Sequence, residues 1–186
     1  VMMRRMSSPL TVSCYGIYRD IQRIGLVLER CNGSLEELVK QGPPADKNDL
    51  ERRLCAVHEA ASGVAFLHAY DIVHRDIKPD NLLLTSGRDD VKVSDFGLAR
   101  AIEKTVPSAE VGTPAYMSPE VFERQYGFAS DIWALGMVLW AMVKGEHPWS
   151  DLQDSAQIHN ALCVDQKRPP LDDVAPPLAD ILSKCW

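Results

Sequence analysis

Apolar residues recur along the chain with two periods, and the changes between them divide it into elements. From Asp49 to Ala69 they fall at Leu50, Leu54, Val57, Ala61, Val64 and Leu67, a spacing of three or four that draws one apolar stripe along a helix. Asn48, with Glu51 three positions on, supplies a start signal for it. Residues 129–144 are apolar nearly all round, with Trp133, Leu135, Val138, Leu139 and Met142, which predicts a helix buried on every side. Shorter runs read as strands: Leu10 to Tyr18 and Gly25 to Leu28 around the polar turn 19–23, then Leu82 to Leu84 and Val91 to Val93 around the turn-rich segment 85–90. Ser34-Leu35-Glu36-Glu37 has the form of a capping box and predicts a short helix. Ser118-Pro119 opens another, with Pro at the first helical position. A further helix is expected within 153–163, and a last one from about Leu178, after the loops marked by Pro169-Pro170 and Pro176-Pro177.

Between the first long helix and the second pair of strands runs Ile72-Val73-His74-Arg75-Asp76-Ile77-Lys78-Pro79-Asp80-Asn81, polar groups set between apolar flanks. That composition predicts a loop held at both ends. If Leu82–Leu84 and Val91–Val93 pair as an antiparallel hairpin, Asn81 before the first strand and Asp95 after the second lie at the same end of it. Asp76 is five residues before Asn81, close enough in the chain to face the same space. Two carboxylates and an amide oxygen suit Mg²⁺, which takes few protein ligands and completes its shell with water and phosphate.

Composition narrows the classes. With 186 residues, 46% of them apolar, the chain can bury a core and fits one domain or most of one. A net charge of −6 does not supply the dense positive face that duplex binding needs, so no nucleic-acid partner is expected. The five cysteines are far apart and show neither C-x-x-C nor finger spacing, which predicts reduced thiols and a cytoplasmic location, or the cytoplasmic part of a longer protein. The longest apolar run, Ile132 to Val143, has 12 residues and suits a buried helix better than a membrane span. His58 and His68 have no partner at metal-ligand spacing and read as ordinary helix histidines.

The polar loop completes the pattern H-R-D-x-x-x-x-N, Asp95-Phe96-Gly97 follows with its aspartate 19 positions after Asp76, and Gly112-Thr113-Pro114 leads into Ser118-Pro119-Glu120. This ordered set resembles the protein kinase family. The resemblance implies an α+β, protein-kinase-like fold: a mainly helical large lobe over 31–186, truncated at its C-terminal end, and over 1–30 a remnant of the small-lobe β-sheet and the start of the hinge. It implies ATP and Mg²⁺ as cofactors and transfer of the γ-phosphoryl group to a serine or threonine hydroxyl of a protein partner.

Asp76 then takes or orients the proton of the substrate hydroxyl, and Lys78 faces the transferring group. Asn81 and Asp95 hold the metal, and Thr113 reaches Asp76 and Lys78. Leu28 as gatekeeper, Glu29 and Cys31 in the hinge, and Leu83 beneath the adenine ring bind nucleotide together with Lys78 and Asp95. His74 packs and hydrogen-bonds, Arg75 faces a phosphate on Ser108 or Thr105, and Asp131 holds the backbone of the catalytic loop. Glu120 is a buried carboxylate whose usual partner arginine lies beyond Trp186. Lys78-Pro79 and Thr113 fit the serine/threonine branch, and Cys185-Trp186 with Tyr116-Met117-Ser118 resembles its tyrosine-kinase-like group. The first glycine is Gly16 and the first lysine Lys40, so no Gly-rich loop or strand lysine is present and the chain by itself is expected to be inactive. The competing function is a pseudokinase, a scaffold without turnover.

Overall fold

The computed structural model describes residues 8–85, 90–95, 100–101 and 112–186. Phe96, Gly97, Thr105 and Ser108 lie outside the described residues. The order of elements is β1 Cys14–Arg19, β2 Ile24–Leu28, β3 Gly33–Ser34, α1 Leu35–Lys40, α2 Lys47–Ala69, β4 Ile72–Val73, β5 Leu82–Leu84, β6 Val91–Val93, β7 Arg100–Ala101, α3 Pro119–Phe122, α4 Phe128–Lys144, α5 Ser155–His159 and α6 Pro176–Cys185. Tight 3-10 turns stand at Pro79–Asn81 and Pro114–Tyr116, and α5 runs on into a wider turn at Asn160–Val164.

Helices α2 and α4 form the centre. In α4, Met137, Val138, Ala141 and Met142 are fully buried, as all-round apolarity requires, and Gly145 closes the helix in the left-handed region at φ +68. No side chain fits there: a Cβ on Gly145 would stand 1.9 Å from the Gly42 carbonyl carbon. The β5–β6 hairpin lies on the other side of α2, where a Cβ on Gly63 would meet Val93 at 2.5 Å. It pairs antiparallel, Leu82 with Val93 and Leu84 with Val91.

The structure departs from the sequence reading in several places; one is the last helix, which takes in Pro176 and Pro177 as its first residues instead of starting after them at Leu178. Helix α2 starts at Asp46, whose carboxylate accepts from the Asp49 N–H, and not at Asn48. Its buried face carries Arg53, Ala56, Val57, Ala60, Val64 and Leu67, while Leu50, Leu54 and Ala61 are only half-buried. Small residues win the inner face because the hairpin and α4 approach closely. Ser34 precedes α1 without a side-chain cap bond. Leu10 to Val12 do not extend β1: Val12 N–H donates to Val93 O and Val93 N–H to Leu10 O, so this segment runs parallel to β6.

Arg53, fully buried, closes the base of the fold. Its guanidinium donates to Gly42 O at 2.9 Å, Met142 O at 3.2 Å and the Asp49 carboxylate at 3.2 Å, which satisfies a charge that burial would otherwise penalise.

Candidate active site

The loop 74–81 is pinned from below by one carboxylate. Asp131, in the first turn of α4 and 1% exposed, accepts the N–H of His74 at 2.8 Å, the N–H of Arg75 at 2.9 Å and His68 Nε2 at 2.9 Å. Arg75 sits at φ +75, a conformation costly for a residue with a Cβ, and its bond to Asp131 helps hold it. The Arg75 guanidinium lies over the Tyr126 ring at 5.0 Å.

His74 is fully buried and joins the loop to the hairpin. Its Nδ1 accepts the Asp76 N–H at 3.3 Å, so the ring proton stands on Nε2, which donates to Ser94 O at 2.7 Å. Ser94 in turn donates from N–H and Oγ to Asn81 O, at 2.9 and 3.0 Å. The hairpin thereby carries Asn81 and the neighbouring Asp95 at one end; Asp95 is exposed, at φ +55.

Asp76, 8% exposed, is where the donors meet. Thr113 Oγ1 donates to its Oδ1 at 3.1 Å, Asn81 Nδ2 donates to its Oδ2 at 3.0 Å, and Lys78 Nζ stands 3.2 Å from Oδ2. Lys78 Nζ also donates to Thr113 Oγ1 at 2.8 Å. A hydroxyl has one proton and two lone pairs, so Thr113 accepts from lysine and donates to aspartate without conflict. Gly112 leads the chain in at φ +116, and a Cβ there would stand 2.9 Å from Arg75 O, so only glycine fits.

The donor set admits a hard cation. Asn81 commits its amide nitrogen to Asp76 O at 2.7 Å and to the Asp76 carboxylate, both acceptors, which fixes the amide's orientation. Its Oδ1, with no protein partner among the described residues, is the oxygen left for a metal. Those residues contain no group of three or more His, Cys, Asp or Glu able to hold an ion. A cation held here would rest on one or two side chains plus phosphate and water, which suits Mg²⁺.

Beside the middle of the hairpin, Glu29 follows β2. Its carboxylate meets Lys92 Nζ at 2.5 Å and accepts the Ser13 N–H at 3.1 Å. Burial pushes the Glu29 carboxyl up, but Lys92 and Ser13 outweigh it and the net direction is down. Burial first, and then the Glu29 charge, push the half-buried Cys31 thiol up. Leu28 is 42% exposed, and half-buried Leu83 pairs with Ser34 and with Lys92. Glu120 corrects an expectation: it is half-buried rather than buried, and its Oε1 accepts from Ser130 Oγ at 3.2 Å.

The whole chain, residues 1–186, matches the protein kinase domain family. The chain belongs to the protein kinase family. Among curated proteins it is similar to the mitogen-activated protein kinase kinase kinase mom-4 of Caenorhabditis briggsae, 34% identical over 179 residues, covering 94% of this chain and 32% of that protein. It is 32% identical over 189 residues to the dual specificity protein kinase shkD of Dictyostelium discoideum, covering 99% of this chain and 25% of that one. With mitogen-activated protein kinase kinase 9 of Arabidopsis thaliana it shares 34% identity over 157 residues, 78% of this chain and 48% of the relative. The chain thus spans from a quarter to just under half of the length of these kinases. The α+β architecture agrees with the family assignment, and among the described residues no helix is long and apolar enough to cross a membrane.

Sequence reasoning missed several residues that bear on the kinase site: Ser94, which locks Asn81 to the hairpin, Lys92, which holds Glu29, and His68 as a partner of Asp131. Ser94 was within reach, since the hairpin register sets it beside Asn81. His68 and Lys92 act on residues 63 positions away and leave no spacing signal.

Proposed function

We propose that this chain is the greater part of the catalytic domain of an ATP-dependent protein serine/threonine kinase, with residues 1–30 as the small-lobe and hinge portion and 31–186 as the large lobe. The observation that carries it is the Thr113 hydroxyl seated between Lys78 Nζ, at 2.8 Å, and Asp76 Oδ1, at 3.1 Å. In the working enzyme Asp76 exchanges Thr113 for the substrate hydroxyl and orients or takes its proton. Lys78 faces the transferring phosphoryl group and offsets charge there. Asn81 Oδ1 and Asp95 would hold Mg²⁺, which when bound with ATP neutralises charge on the β and γ phosphates. Leu28, Glu29, Cys31 and Leu83 would be the residues that adenine rests against. Arg75 is the cation that a phosphate on Ser108, or on Thr105, would meet. Asp131 and His74 keep the loop in register beneath these groups.

The partner is a protein presenting serine or threonine. The five cysteines are free, which supports a reducing, cytoplasmic compartment. The test uses the full product of the gene, incubated with MgATP and a mixture of candidate protein substrates, with acceptor residues read by mass spectrometry. New phosphoserine or phosphothreonine, absent with Asp76→Asn, is the expected result. Nucleotide binding without any transfer would place the protein among scaffolds, and phosphotyrosine alone would reject the serine/threonine assignment.

A further inference from the structure

A second chain of hydrogen bonds, apart from Asp76, runs across three segments and has one direction. The Tyr116 hydroxyl lies 2.8 Å from His147 Nδ1, and His147 Nε2 lies 3.2 Å from Glu36 Oε1. A carboxylate only accepts, so in the neutral imidazole the proton stands on Nε2, Nδ1 offers a lone pair, and the phenol donates. Tyr116 is 5% exposed; burial, together with the charges of Glu36 and Asp80, pushes its hydroxyl up, so it keeps the proton it donates. The rings meet edge to face at 6.3 Å. Glu36, 8% exposed, also pairs with Lys40 at 3.2 Å.

Both ends of the chain reach the site. Tyr116 closes the turn that begins at Thr113, donating its N–H to Thr113 O at 2.9 Å, so one turn of backbone joins the residue that bears the phenol to the residue that bears the hydroxyl. Glu36 lies in the first turn of α1, directly after β3, which pairs with Leu83 and Leu84 of β5. His147, in the loop after α4, touches neither Asp76 nor Lys78. Its side chain is 42% exposed, so what it supplies is the bridge and not core volume.

We propose that His147 is a positioning residue for phosphoryl transfer: by tying Tyr116 to Glu36 it keeps Thr113 Oγ1 on Asp76 and Lys78, and it couples the hinge-side helix α1 to the loop at the acceptor site. The proposal rests on the kinase reading of the Asp76 site.

Two measurements test it. In the full gene product, His147→Phe and Tyr116→Phe each lower kcat about fivefold, the worth of one ordinary net hydrogen bond, with KM for ATP unchanged. The double variant falls no lower than either single one, because both cut the same path. In the 186-residue chain, His147→Phe speeds hydrogen exchange of the amides at 115–117, a readout that needs no activity. An active wild type whose His147→Phe variant matches it in kcat and exchange overturns the positioning role, as do multiplicative losses in the double variant. A wild-type product that transfers no phosphoryl group overturns the kinase reading, and this role falls with it.

Discussion

Replacing Asp131 with alanine removes the acceptor of one buried amide, that of His74, of the partly buried amide of Arg75, and of a partly exposed imidazole, His68. An orphaned buried amide costs about 1–3 kcal/mol, which applies in full to His74; the partly buried Arg75 amide adds less, and so does His68, which can turn to water. Arg75 at φ +75 would also lose a bond that offsets its backbone strain. For a domain of this size a loss of about 3 kcal/mol lowers Tm by about 6–12 °C. Asp131→Asn keeps the volume but has a single acceptor oxygen, so one amide would face an NH₂ group and the variant should fall between alanine and wild type. Urea unfolding followed by tryptophan fluorescence gives the difference, with buried Trp133 in α4 as one reporter. Amide exchange at His74 and Arg75 locates it. A shift in stability below about 0.5 kcal/mol, with both amides still protected, would refute the claim that Asp131 holds the loop.

Three further outcomes follow from particular contacts. Gly145→Ala forces a Cβ to within 1.9 Å of Gly42 C and 2.0 Å of Pro43 N, so stability from denaturant unfolding should fall by more than the about 1–2 kcal/mol of left-handed strain alone; an unchanged midpoint would contradict the packing. The Asp49 carboxyl is depressed from 3.8 to about 2, by Arg52 first, then the Ala45 amide and Arg53. Its folded form therefore binds a proton less tightly than the unfolded chain, so the stability it contributes is full above 3.8 and is lost as pH falls through about 2. The stability gap between wild type and Asp49→Asn should accordingly hold above that window and close within it, and a gap independent of pH would exclude the ion pairing. Finally, Asn81→Ala should weaken Mn²⁺ binding in the presence of ATP at least about tenfold by water-proton relaxation, whereas equal binding would remove Asn81 from the metal site.

What the sequence made legible is the short-range order. The hairpin register followed from two apolar triplets around a turn, and α4 was found to within a residue because a segment apolar on all sides has few places to go. The loop 74–81 was legible as polar groups between apolar anchors. Less legible were choices among near-equal local signals: Asp46, Asn48 and Asp49 can all cap, and Asp46 wins because its carboxylate reaches the Asp49 N–H. Counting hydrophobicity favoured Leu54 over Ala56 and Ala60, but the inner face of α2 is decided by how near β6 comes, and close approach selects small residues. Buried Arg53 broke the pattern because, besides Asp49, its partners are two backbone carbonyls, Gly42 O after α1 and Met142 O in the last turn of α4. The Tyr116–His147–Glu36 chain joins residues up to 111 positions apart and exists only in the folded chain.

The assignment depends most on Asp76 being the group that handles the acceptor proton. Single-turnover transfer by the full gene product, compared between wild type and Asp76→Asn at saturating MgATP, measures this directly. A rate lower by about 10²–10⁴ with ATP affinity unchanged is the predicted result. A variant that transfers within about threefold of wild type would contradict it, since a loss that small is far below what general-base catalysis contributes.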